Sequence, residues 1–107
     1  MKVFNEEVVF NAPSRFSQLP TKDAGTFVAA DTTPSVANVE FWIAAGTVVT
    51  ITDFDDGATT QILYILGDGD TTISHNANIK TNTGANKLLA ADRLYIFAHI
   101  NGVWYEN

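Results

Sequence analysis

A chain of 107 residues with 46% apolar and 17% charged side chains is too hydrophobic for a disordered tail, and at that length it supplies one domain's worth of core. It contains no cysteine, which excludes a disulfide scaffold, a thiolate zinc site and a cysteine nucleophile. Its net charge is −6, and no Lys or Arg occurs between Lys22 and Lys80, whereas Asp53, Asp55, Asp56, Asp68 and Asp70 all fall in that interval; such a surface repels phosphate backbones and argues against nucleic acid as a partner.

The first sixteen residues carry Phe4, Phe10 and Phe16 at intervals of six, with Phe4-Asn5 repeated as Phe10-Asn11 and β-branched Val3, Val8 and Val9 alongside. A six-residue spacing is not helical. It predicts a short β-helical or intertwined shaft over residues 1–16 that offers one large ring per rung, the alternative being a single irregular edge strand. Carboxylates at Glu6 and Glu7 occupy the place where a secretory signal would be apolar, and no later run approaches the roughly 18 apolar residues of a membrane span, so neither export by a leader nor membrane insertion is expected. Residues 17–38, with Pro20, Gly25 and Pro34 among Ser, Thr, Asp and Asn, read as a linking segment in which Gly25 to Ala30 forms one short strand.

From Val39 onward, as a third segment over residues 39–107, short β-rich runs follow one another: Val39 to Ala44, Val48 to Phe54, Thr60 to Leu66, Thr71 to His75, Asn78 to Thr81, Lys87 to Ala90, Leu94 to Ile100 and Val103 to Glu106. Turn signals separate them, the clearest being Asn101-Gly102, two residues that accept the positive φ of a tight hairpin turn. Only Lys87 to Leu94 admits a helical alternative, and Asp92 interrupts its apolar face. Alternation in Val48 to Phe54 places Thr50, Thr52 and Phe54 on one side and Val49, Ile51 and Asp53 on the other. In the run Ile62 to Leu66 both sides are apolar, so Leu63 and Ile65 require one cover and Ile62, Tyr64 and Leu66 another, which a neighbouring subunit would supply.

The fold class is therefore all-β: a shaft-like segment followed by a compact β-sandwich or β-prism-like module, working as a trimer. Single phenylalanines on a thin segment cannot enclose themselves, whereas three copies around an axis bury every ring. The expected trimer core comprises Phe4, Phe10, Phe16, Ile62 and Tyr64.

Few residues suggest chemistry. Asp53, Asp55 and Asp56 before Gly57 resemble the start of a calcium loop, but no closing Glu or Asp completes the twelve-residue pattern, and an ordinary turn is the simpler reading. His75 and His99 are the only histidines, each expected to be structural, and no Gly-x-Ser-x-Gly elbow accompanies them. The twelve acids stand mostly in turns, where solvent keeps them ionised, which disfavours a paired-carboxylate glycosidase. No catalytic residue, metal or cofactor is expected. Trp42, Tyr95, Trp104 and Tyr105 are the candidate glycan contacts, since flat rings stack on sugars; Trp104 and Tyr105 must point to opposite sides of their strand.

The run order also resembles a module near the C-terminus of bacteriophage tailspike, tail-fibre and appendage proteins. The matching residues are Asp31-Thr32-Thr33-Pro34-Ser35-Val36, Thr50-Ile51-Thr52-Asp53-Phe54-Asp55-Asp56-Gly57, Thr72-Ile73-Ser74-His75, Leu94-Tyr95-Ile96-Phe97 and Gly102-Val103-Trp104-Tyr105-Glu106; Val8-Val9-Phe10-Asn11-Ala12-Pro13 is similar to the shaft that precedes such modules. The resemblance implies a homotrimeric, non-enzymatic virion component of the tail that caps a fibre, aids its assembly or contacts a host cell-surface glycan. The alternatives from other classes are a monomeric carbohydrate-binding β-sandwich and a small polysaccharide hydrolase.

Overall fold

Short alternating runs rich in Val, Ile, Phe, Tyr and Thr suit a pleated, half-buried surface, and the computed structural model, which describes residues 23–107, turns each of them into a strand. In chain order these are β1 (Gly25–Thr26), β2 (Phe41–Ile43), β3 (Val49–Ile51), β4 (Ile62–Leu66), β5 (Thr71–Ile73), β6 (Ile79–Lys80), β7 (Lys87–Leu88), β8 (Leu94–Ile100) and β9 (Val103–Glu106). No helix occurs among the described residues. The helical alternative at Lys87 to Leu94 is replaced by β7 and a turn in which Asp92 takes φ 61°. The expected shaft, with Phe4, Phe10 and Phe16, lies outside the described residues.

The strands form two sheets, one of six in the order β1-β2-β4-β8-β9-β6 and one of three in the order β3-β5-β7. Between β2 and β8 the chain passes back and forth from one sheet to the other, so strands consecutive within a sheet are not consecutive in sequence. That is why β2 pairs with β4 and β3 with β5 in parallel, since each strand of these pairs returns after a visit to the opposite sheet. Only β8 and β9 are joined by a tight hairpin, through Asn101 (φ 52°) and Gly102 (φ 81°), as the Asn-Gly pair requires.

The core lies between the sheets. Leu63 and Ile65 of β4, Phe97 of β8, Trp104 of β9 and Ile79 of β6 come from the large sheet, and Ile51 and Ile73 from the small one, with Leu89 following β7. Phe54 packs edge-on against Phe97 and Trp104, with ring centroids 5.7 and 5.5 Å apart, the arrangement that aromatic quadrupoles favour.

One local expectation is corrected. β3 ends at Ile51, and the chain then leaves the pleat, so Phe54 is buried on the same side as Ile51 rather than opposite it. An isolated bridge between Ser35 and Asp55 fixes this departure, with Val36 N–H donating to the Asp55 carbonyl and Asp55 N–H to that of Pro34, each at 2.9 Å. Phe27, Pro34 and Val36, in the stretch read as a linking segment, are buried.

Candidate functional site

Side chains at paired positions of a sheet share a face, so the registers define what the large sheet turns away from the core. That outer face carries Phe41 and Ile43 from β2, Ile62, Tyr64 and Leu66 from β4, Leu94, Ile96, Ala98 and Ile100 from β8, and Val103 and Tyr105 from β9. Phe41 stacks on Tyr64 with centroids 4.5 Å apart and planes inclined by 7°. Among the described residues ten large apolar side chains are exposed, and seven of them, Phe41, Ile43, Ile62, Leu66, Leu94, Ile100 and Tyr105, stand on this one face.

Ile62 and Tyr64, expected at a subunit core, both belong to this face, whereas Leu63 and Ile65 are fully buried, so β4 is apolar on both sides as its sequence requires. Phe41, Ile43, Leu94 and Ile100 were not singled out from the sequence. The signal for β8 is present there: Leu94, Ile96, Ala98 and Ile100 alternate with Tyr95, Phe97 and His99, so that run too lacks a polar side.

The four candidate glycan contacts do not converge. Trp104 is corrected outright: it has no exposed surface, stacks on His99 at 4.4 Å and meets Phe54, and so presents no face to a sugar. Trp42 is half-buried on the inner side, stacked on Phe27 at 5.1 Å, with its indole N–H donating to the Val39 carbonyl at 3.0 Å. Tyr95 also packs on the core, and its hydroxyl accepts the Ala90 N–H at 2.9 Å. Tyr105 alone is open, 45% exposed on the outer face and opposite in direction to Trp104, as their adjacency dictates.

The polar groups act within turns. Asp68 holds two of them together: Oδ1 accepts the N–H groups of Asp70 and Thr71 at 2.9 and 2.8 Å, and Oδ2 accepts the Gly46 N–H at 2.7 Å and the Thr71 hydroxyl at 2.9 Å. Burial pushes this carboxyl up, but the four donors outweigh burial and hold its pKa below the ordinary value. In the Asp53-Asp55-Asp56 stretch, Asp53 accepts the Phe54 N–H and Asp56 accepts the Ser35 hydroxyl at 2.6 Å. Among the described residues no three His, Asp or Glu side chains come together in a way that could hold a metal ion.

His75 Nδ1 accepts the Thr81 N–H at 3.1 Å, and His99 Nδ1 lies 3.0 Å from the Ala58 carbonyl. Gly57 passes so close to Trp104 that a Cβ there would collide with the indole. The single salt bridge among the described residues joins Lys87 to Glu106 at 2.9 Å, tying β7 of the small sheet to β9 of the large one.

Where β1, β2 and β4 begin, a cleft of ≈ 610 Å³ opens, lined by Asp23, Asn38, Glu40, Phe41 and Gln61 among others. The Gln61 side chain is engaged there, its amide donating to the Val36 and Val39 carbonyls at 2.9 and 3.3 Å.

Two packed β-sheets with the core between them define a β-sandwich-like module. The family model of the phage depolymerase C-terminal beta sandwich domain matches residues 20–105, and the chain belongs to that family. No curated protein and no solved structure shows significant similarity to it. Membership makes the chain a tailspike module of the bacteriophage virion, located in a tail appendage. The match begins within the stretch read as a linker, where the structure likewise finds core residues.

Proposed function

We propose that this domain is a non-catalytic assembly module that holds a phage tail appendage together as a homotrimer, closing the outer face of its larger sheet against neighbouring copies. The observation that carries the reading is the gathering of seven exposed large apolar residues on one face. Each is roughly half covered in the single chain, so completing its burial is worth on the order of 1 kcal/mol apiece, a total comparable to the cost of association. Three is the number that the resemblance to tailspikes implies.

Native mass measurement tests this reading: a species of three times 11.6 kDa is expected, and a chain that remains single at micromolar concentration sinks it. Incubation with host polysaccharide is expected to release no new reducing ends, and turnover would return the hydrolase alternative. A glycan contact is the second reading, and the open ring of Tyr105 supports it. Binding of host polysaccharide by the assembled module that Tyr105→Ala abolishes is the expected result; binding untouched by that change removes Tyr105 from the account.

A further inference from the structure

The turn between β6 and β7 folds back on itself. Gly84 takes φ 76°, its N–H donates to the Thr81 carbonyl at 3.2 Å, and the Thr81 hydroxyl donates to the Ala85 carbonyl at 2.6 Å. The reversal brings two side chains together, so that Lys87 Nζ donates to Asn82 Oδ1. The same Nζ stands 2.9 Å from Glu106 Oε2, and the other oxygen of that carboxylate, Oε1, accepts the Asn82 N–H at 2.9 Å. Asn82 Nδ2 in turn donates to the main-chain oxygen of Asn107 at 2.9 Å. A primary amine, a carboxamide and a carboxylate, supplied by β7, the turn and β9, are thus fixed against one another.

Their surroundings are dry on one side and open on the other. The Glu106 side chain is 4% exposed and that of Lys87 18%, and the centroid of the Tyr95 ring lies 6.0 Å from Nζ. Asn82 is exposed, so a group released from its carboxamide meets solvent at once. A salt bridge between two sheets needs only the amine and the acid. A carboxamide held at both its oxygen and its nitrogen adds an electrophile to the pair.

The geometry points to a covalent cross-link: Lys87 and Asn82 join through their side chains as an intramolecular amide, with Glu106 carrying the protons. A proton passes from Nζ to Glu106 Oε2, and the lone pair so freed attacks Asn82 Cγ while the π pair of the carbonyl moves onto Oδ1. The carbonyl then re-forms, the Cγ–Nδ2 bond breaks with its electrons on nitrogen, and Nδ2 departs. Nζ gives up two protons in all, and both leave on Nδ2 as ammonium, so the carboxylate is regenerated and no further reactant is consumed. Groups held in contact react as one molecule rather than two, and a positioned carboxylate moves the protons, which together open a reaction that is negligible between free side chains. The bond locks the turn by which the chain passes from β6 of the large sheet to β7 of the small one. It is internal to one chain and independent of how many copies associate.

Mass spectrometry of the intact chain, purified and held at neutral pH, is expected to show a mass lower by one ammonia, with a half-time unchanged by dilution. Trypsin cuts after Lys and Arg but not after a lysine whose Nζ is an amide. The linked chain, denatured and digested, should therefore yield the stretch from Thr81 to Arg93 uncut at Lys87 and lighter by one ammonia. Lys87→Arg keeps the ion pair and Asn82→Ala keeps the amine and the acid, yet each is expected to retain its full mass. Glu106→Gln, which cannot take up the proton, is expected to slow conversion by on the order of a hundredfold or more. Near-ultraviolet circular dichroism checks that each variant keeps its tertiary packing, and should Glu106→Gln not fold, the digest of the unaltered chain decides. A folded, unaltered chain of full mass that trypsin cuts after Lys87 overturns the cross-link. So does a chain that has lost ammonia but is still cut there, because the loss then lies in a succinimide at an asparagine, which hydroxylamine reopens and an amide withstands. Conversion as fast in folded Glu106→Gln overturns the part given to the carboxylate.

Discussion

Asp68 acts as a clasp. A carboxylate that accepts four hydrogen bonds from two different turns replaces much of the water it loses, and each of those donors would be left partly unsatisfied without it. Asp68→Ala is expected to cost about 1–3 kcal/mol at neutral pH, read from denaturant unfolding. Asp68→Asn should cost less, because one oxygen remains an acceptor while the amide nitrogen faces donors. The pH dependence has a definite sign. The folded pKa lies below the unfolded one, so the contribution is fully present above the unfolded carboxylate value of about 4 and is lost as pH falls through the folded pKa. Unfolding measured at pH 7 and again in strong acid should therefore show the gap between the original chain and Asp68→Ala narrowing on acidification; a constant gap would assign the effect to packing instead of ionisation.

At the scale of the elements, the hairpin between β8 and β9 depends on two consecutive residues at positive φ. Glycine adopts this conformation without strain, but a β-branched side chain does not. Gly102→Val is expected to destabilise the domain by about 1–2 kcal/mol, lowering the thermal midpoint without altering oligomeric state, since the turn stands at the end of the face rather than within it. This hairpin was legible in the sequence, as was each strand run, because alternation and turn chemistry are local properties. The sheet order was not, because β2 meets β4 only after the chain has crossed to the other sheet and back, and no local pattern encodes that pairing. Phe54 shows the same limit: its burial depends on the bridge from Ser35 to Asp55, a contact between distant segments. Three of the four candidate glycan rings pack inward, and a related reason kept that from view. An aromatic ring has the same character in a core as at a surface, so Trp42, Tyr95 and Trp104 could not be told from Tyr105 by residue type. Ile62 and Tyr64 could be placed because a strand apolar on both sides must have one side left over.

For the whole molecule, the decisive property is that the two sheets turn different faces outward. The small sheet shows Thr50 and Thr72 beside a lone Leu88, while the large one is apolar across four neighbouring strands. Exposure alone does not make a residue part of an interface, and Leu88, 56% exposed, is more open than Leu66 at 37%. Membership of the continuous face should decide instead. Ile62→Asp and Leu66→Asp are therefore expected to yield folded single chains, because a charge placed within the shared face must be desolvated on assembly while costing little in a solvated monomer. Leu88→Asp should leave the proposed trimer intact. The unaltered chain should melt at higher temperature as its concentration rises, since association stabilises the folded state by mass action, and the two face variants should lose that dependence while Leu88→Asp keeps it. If Leu88→Asp dissociated the assembly as readily as Leu66→Asp, or if neither did, the outer face of the large sheet would not be where the copies meet.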